Sequence, residues 1–144
     1  MDMNQLYSEL ILEHNQDTRN KRILSNYTCE EHGHNPSCGD DLTLRLTIEN
    51  GIIEDAAYQG SGCAISQASA SMMIDDIKGK SVEEALALVD LFLGMIKREV
   101  TDDEQLEELE DAIALKNIAN MPARVKCAVL AWHTLKEAIA KTKA

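Results

Sequence analysis

A chain of 144 residues with 44% hydrophobic content is long enough for one domain with a core, and 3% aromatics leave the packing to aliphatic side chains and methionine. The formal net charge of −11 repels phosphate backbones, which argues against nucleic acid as a partner and for basic protein surfaces. No apolar run reaches the ~20 residues of a membrane span, and Met1-Asp2-Met3-Asn4-Gln5 lacks a basic-then-apolar leader, so no membrane is expected and the cytoplasm is the expected compartment.

In chain order, Leu6, Tyr7, Leu10 and Ile11 recur at helical spacing and predict an amphipathic helix from Met3, with His14 on the same face as a packing or capping residue. Asn15 to Arg22 reads as a loop and Ile23 to Cys29 as a short strand. Cys29-Glu30-Glu31-His32-Gly33-His34 then places a thiol and two imidazoles close together. This is a set able to bind metal by itself, against the simpler reading of a polar loop with solvent-facing histidines. Leu42, Leu44, Leu46 and Ile48 alternate onto one strand face, Asn50-Gly51 suits a turn with two positive φ angles, and Ile52 to Gln59 returns as the second arm. Cys38 precedes the first arm and Cys63 follows the second, so antiparallel pairing brings both thiols to one end of the sheet.

Beyond Gly60-Ser61-Gly62, Ile65, Ala68, Met72 and Met73 mark a helix over Cys63 to Ile77. Cys63 lies at its N-terminus, where unpaired amides and the helix dipole lower a thiol pKa. Ser81-Val82-Glu83-Glu84 is a capping box ahead of the stripe Val82, Ala85, Leu86, Val89, Leu93 and Ile96. Thr101-Asp102-Asp103-Glu104 predicts another helix started in the same way, and the acids through Asp111 read as its solvated face. Pro122 opens the last helix. Its predicted core stripe of Val125, Val129, Trp132 and Ile139 puts Cys127 at the stripe's edge, with His133 a surface or packing residue.

Four cysteines in a reducing compartment, Cys29, Cys38, Cys63 and Cys127, point to metal binding or thiol chemistry before disulfides. Zinc takes four ligands in a tetrahedron and accepts thiolate and carboxylate, so Cys38, Cys63, Cys127 and Asp40 make a complete set, with Gly39 permitting the bend between Cys38 and Asp40. An iron–sulfur cluster also uses three thiolates and leaves one position for a carboxylate. Buried, unreactive cysteines are the remaining reading, and the dispersed spacing does not choose among the three.

Asn35-Pro36-Ser37-Cys38-Gly39-Asp40, Gly60-Ser61-Gly62-Cys63-Ala64-Ile65-Ser66 and Ala123-Arg124-Val125-Lys126-Cys127-Ala128 stand in that order. With the opening Tyr7, Ile11-Leu12-Glu13-His14 and Arg19-Asn20, they resemble the IscU/SufU/NifU-N family of iron–sulfur cluster assembly proteins over nearly the whole chain. Two details resemble the SufU branch. Lys126 stands where IscU-type members carry histidine, and the Cys63-to-Cys127 stretch is longer, with extra helical sequence around residues 80–105. Met121-Pro122-Ala123-Arg124-Val125-Lys126 replaces the chaperone-docking Leu-Pro-Pro-Val-Lys motif of IscU proteins, so an Hsp70-type chaperone is not an expected partner.

The resemblance implies an α+β fold over residues 1–144, with about three antiparallel strands covered by helices on one face. It implies zinc (Zn2+) at Cys38, Asp40, Cys63 and Cys127, and Cys38 as persulfide acceptor supported by the cationic Arg124 and Lys126. The implied activity is that of a sulfurtransferase-like partner of a SufS-like, pyridoxal-phosphate-dependent cysteine desulfurase, passing sulfur to downstream iron–sulfur assembly proteins. The alternative it implies is a scaffold carrying iron or a transient [2Fe–2S] cluster on Cys38, Cys63 and Cys127. Cys29, His32 and His34 match no motif position.

Overall fold

Strict alternation of Leu42, Leu44 and Leu46 builds the central strand, and all three are buried beneath the helices. The computed structural model describes residues 3–36 and 39–143, with side chains over 8–36 and 39–142. The elements run α1 (Met3–Gln16), β1 (Cys29–Asn35), β2 (Asp40–Glu49), β3 (Ile52–Ser61), α2 (Ala64–Ile77), α3 (Val82–Ile96), a short α4 (Asp103–Leu106), a 310 segment (Glu107–Asn120) and α5 (Pro122–Lys143). The strands form one sheet in the order β1-β2-β3, antiparallel throughout. Asn50 and Gly51 both adopt positive φ at the β2–β3 turn, as the hairpin reading requires. The expected α+β arrangement, a three-stranded antiparallel sheet with helices on one face, is the observed one.

The first strand differs from its prediction. It begins at Cys29, and residues 23–28 are irregular. Cys29, Gly33 and Asn35 point inward and are buried, whereas Glu30, His32 and His34 are exposed. The period-2 signal is present but is carried inward by a glycine and an asparagine, which sequence reading takes for a loop. The glycine is needed for space: a Cβ on Gly33 would collide with Thr134 Oγ1 and press on Leu130 Cδ1, both on α5.

Helix α5 packs against β1 and α2 through Cys127, Ala128, Ala131, Trp132, Leu135, Ala138 and Ile139, all buried. This corrects the predicted stripe: Val125 and Val129 are only partly buried, and Cys127 lies within the buried face. Alanines mark that face because the helix sits close to the sheet, and their small side chains hide it from a reading that follows large residues. Trp132 stacks on Phe92 of α3 at 4.2 Å between centroids. Its Nε1–H donates to Ser69 Oγ at 3.0 Å, and the Ser69 hydroxyl donates to the Ala128 carbonyl at 2.6 Å, which ties α2 to α5.

The capping box at Ser81 and Glu84 forms in both directions. The helix expected after Thr101 does not continue as one. Asp102, not Thr101, is the cap, α4 ends at Leu106, and 310 geometry follows with a non-helical residue at Glu110 (φ 51°, ψ −122°). Leu106, Leu109, Ala112, Leu115 and Ile118 are buried at a spacing of three, the repeat of a 310 helix and not of an α-helix. At the other end of the chain, buried His14 pairs through Nδ1 with Ser71 Oγ at 2.8 Å. Asn20 Nδ2 donates to the Ser71 carbonyl at 3.0 Å and to Asp75 Oδ1 at 2.9 Å, so the opening segment is fastened to α2. No helix among the described residues is long and apolar enough to cross a membrane.

Candidate metal centre

Three elements converge at one end of the sheet. Asp40 is the first residue of β2 and fully buried, Cys63 is the N-cap of α2, and Cys127 lies on the inner face of α5 at 2% exposure. One carboxylate oxygen of Asp40 and the sulfurs of Cys63 and Cys127 all lie within 4.8 Å of one another. Among the described residues this is the group whose donor atoms are already drawn together for a cation.

Local structure explains the convergence. The Cys63 N–H donates to Asp40 Oδ1 at 2.9 Å, and the Cys63 sulfur accepts from the Ser66 N–H at 3.4 Å, as a cap side chain does. Both acceptors therefore face the positive end of α2, which favours negative charge. A Cβ on Gly62 would collide with Asp40 Oδ1 and Ser66 Oγ, so this position has to be glycine for the carboxylate to reach the helix end. Gly39 has φ 71°, while a Cβ there would meet nothing within 4 Å; the backbone conformation, not crowding, is what favours glycine. The Ser69–Ala128–Trp132 hydrogen bonds hold α5 at the depth that brings Cys127 to the other two donors. Sequence reading did not find this support, nor the cap made by the Ser66 N–H on Cys63, although Ser66 closes the stretch Gly60-Ser61-Gly62-Cys63-Ala64-Ile65-Ser66.

A buried carboxylate beside two thiols is an arrangement that a bound cation stabilises, and the thiolate and carboxylate donors are those zinc accepts. Cys38, the fourth predicted ligand and predicted sulfur acceptor, lies outside the described residues, two positions before Asp40. Arg124 and Lys126 are exposed at the start of α5, three residues and one residue before Cys127. The cavity next to the site, lined by Asp41, Tyr58, Gly60 and Ser66 among others, has about 10 Å³, space for one water.

The structure does not bring the rival cluster together. Cys29 points inward and its thiol donates to the Ala138 carbonyl at 3.3 Å, while His32 and His34 project from the opposite face with ring centroids 6.3 Å apart. His32 Nε2 contacts Asp41 Oδ1 at 2.7 Å on that outer face. His133 is exposed on α5, and partial burial together with Lys136 and Lys97 holds its pKa below the ordinary value.

A model of the NifU-like N terminal domain matches residues 6–144. The iron–sulfur cluster assembly scaffold protein IscU of Thermotoga maritima is 43% identical, covering 94% of this chain and 94% of its own length. The zinc-dependent sulfurtransferase SufU of Bacillus subtilis is 39% identical, covering 97% of this chain and 93% of its own. A solved structure of a candidate iron–sulfur cluster assembly scaffold protein for the SUF system, from Fervidobacterium islandicum, superposes with a TM-score of 0.86 at 36% identity, covering 94% of this chain and 97% of that one.

Proposed function

Because the chain belongs to the family of the NifU-like N-terminal domain, we propose that it serves iron–sulfur cluster assembly as a zinc-held sulfur acceptor that receives sulfur from a pyridoxal-phosphate-dependent cysteine desulfurase. The observation that carries this reading is the meeting of Asp40, Cys63 and Cys127 within 4.8 Å, with Lys126 beside the last of them. A charged lysine is a poor iron ligand, whereas three thiolates and a carboxylate suit zinc. The name of the Bacillus subtilis relative supports the same choice.

Zinc, when bound, would keep these thiols in the nucleophilic thiolate form. Cys38 is the acceptor. Its thiolate attacks the terminal sulfur of the desulfurase persulfide. The S–S bond of that persulfide breaks, a new one forms on Cys38, and the desulfurase cysteine departs as thiolate, so no outside oxidant or reductant is needed. Arg124 and Lys126, exposed near the site, supply positive charge for the incoming persulfide. The measurement is desulfurase turnover with and without this protein. Cys38→Ala should abolish the stimulation; stimulation equal to wild type would remove Cys38 from this role.

A scaffold for a [2Fe–2S] cluster is the second reading, favoured by the name of the Thermotoga maritima relative and using the same donors. Metal analysis of the protein as isolated separates the two. Zinc at one ion per chain without sulfide supports sulfur acceptance, and iron with inorganic sulfide supports the scaffold.

A further inference from the structure

Asp76, near the C-terminal end of α2, is a buried carboxylate far along the helix from Cys63 and unused by the chemistry above. It is 3% exposed, and its Oδ2, shielded from solvent, meets no hydrogen-bond partner among the described residues. It lines a cavity of about 200 Å³ together with Asp75, Glu110 and Asp111. The nearby basic groups meet other members of the cavity or the backbone and not the Asp76 carboxylate. Arg19 holds Asp75 at 2.5 Å, His14 Nε2 lies 3.1 Å from Asp111 Oδ2, and Lys80 Nζ donates to the backbone carbonyl of Asp76 at 3.2 Å.

We propose that this cavity is a second cation site, separate from the thiolate centre, that takes a hard divalent cation such as Mg2+ with its water shell, Asp76 and Glu110 being the principal carboxylates. The four lining residues offer carboxylate oxygen and neither sulfur nor imidazole, which selects Mg2+ or Ca2+ over the thiophilic metals. These carboxylates are not drawn together as Asp40, Cys63 and Cys127 are. Their wider spacing suits an ion that keeps several waters, as Mg2+ does. The cavity has room for several waters around an ion. The last carbonyls of α2 add the negative end of a helix dipole. Without a cation, burial and the neighbouring Glu110, Asp75 and Asp111 push the Asp76 carboxyl up to about 9 against the pull of Lys80. Ion and proton therefore compete for the same oxygen. An ion here joins α2 to the 310 segment at its kink.

The test is calorimetric titration of zinc-loaded protein with Mg2+, at about 0.1 M potassium chloride to screen diffuse attraction to the acidic surface. Paramagnetic Mn2+ follows as a probe of position by amide line broadening. Saturable binding of one ion per chain is expected, with Mn2+ broadening residues 75–76 and 110–111 first. Asp76→Asn, which mimics the protonated acid and so preserves the fold, should weaken binding roughly tenfold or more. Glu110→Gln, at an exposed position, should weaken it in the same direction. Asp90→Asn, exposed on α3, should leave it unchanged. Binding that does not saturate, or that Asp76→Asn and Asp90→Asn weaken equally, would overturn the site.

Discussion

Asp40 and Asp76 are both buried aspartates, and their surroundings set them opposite tasks. Asp40 faces a helix N-terminus and two sulfurs, a setting for negative charge beside a cation. Asp76 lies among other carboxylates with its pKa raised to about 9. An aspartate in the unfolded chain titrates near ~3.9, so between that pH and about 9 the folded protein holds a proton that the unfolded chain has released. Stability from this group is fully present below the lower value and is lost as pH rises through the window. In the presence of chelator, Asp76→Asn should therefore be more stable than wild type at about pH 8 and equal to it at about pH 4, as read from urea midpoints. At the other aspartate, Gly62→Ala should displace the Asp40 carboxylate and weaken zinc binding by about 10–100-fold, measured by competition with a chromogenic chelator. The candidate donors Cys63 and Cys127 were legible because cysteine is rare in this chain and their neighbours are conspicuous, and Asp40 because it stands two residues after Cys38. Asp76 was not, because beside Asp75 it has the look of a solvated pair, and only packing shows that it is shielded.

At the scale of elements, the hairpin, the capping box and the Pro122 helix start were legible because each depends on contacts within a few residues. What was misread depends on partners distant in sequence. Strand β1 turns Gly33 inward because α5 lies against it, and α5 buries alanines because β1 and α2 lie close. The 310 segment did carry a local signal, apolar residues at every third position from Leu106 to Ile118, but the acidic residues between them suggested an ordinary solvated helix. Its anchoring depends on that spacing. Leu115→Ala, at a fully buried site, should cost about 2–5 kcal/mol in a denaturant titration, by lost burial and the cavity left behind.

At the scale of the molecule, the metal centre is a junction of sheet, α2 and α5, so an ion held there binds the folded chain and not the unfolded one. Such binding stabilises with the logarithm of free metal relative to its dissociation constant, by about 4 kcal/mol when free metal is a thousandfold above that constant. Removing zinc with a strong chelator should lower the thermal midpoint, and adding zinc back should restore it. Scanning calorimetry of the two forms checks this, and equal midpoints would count against an occupied site. The acidic surface acts at this scale too: with a net charge of −11, partner recognition favours a basic docking face and weakens as salt rises.

The place of Cys127 in the last helix has a consequence for biosynthesis. Asp40 and Cys63 are made before α5, and until α5 leaves the ribosome and docks through Ser69 and Trp132 the third donor is missing. A nascent or truncated chain thus presents an incomplete set and is a weak competitor for scarce metal. Loading at this centre marks a chain in which α5 has been made and docked.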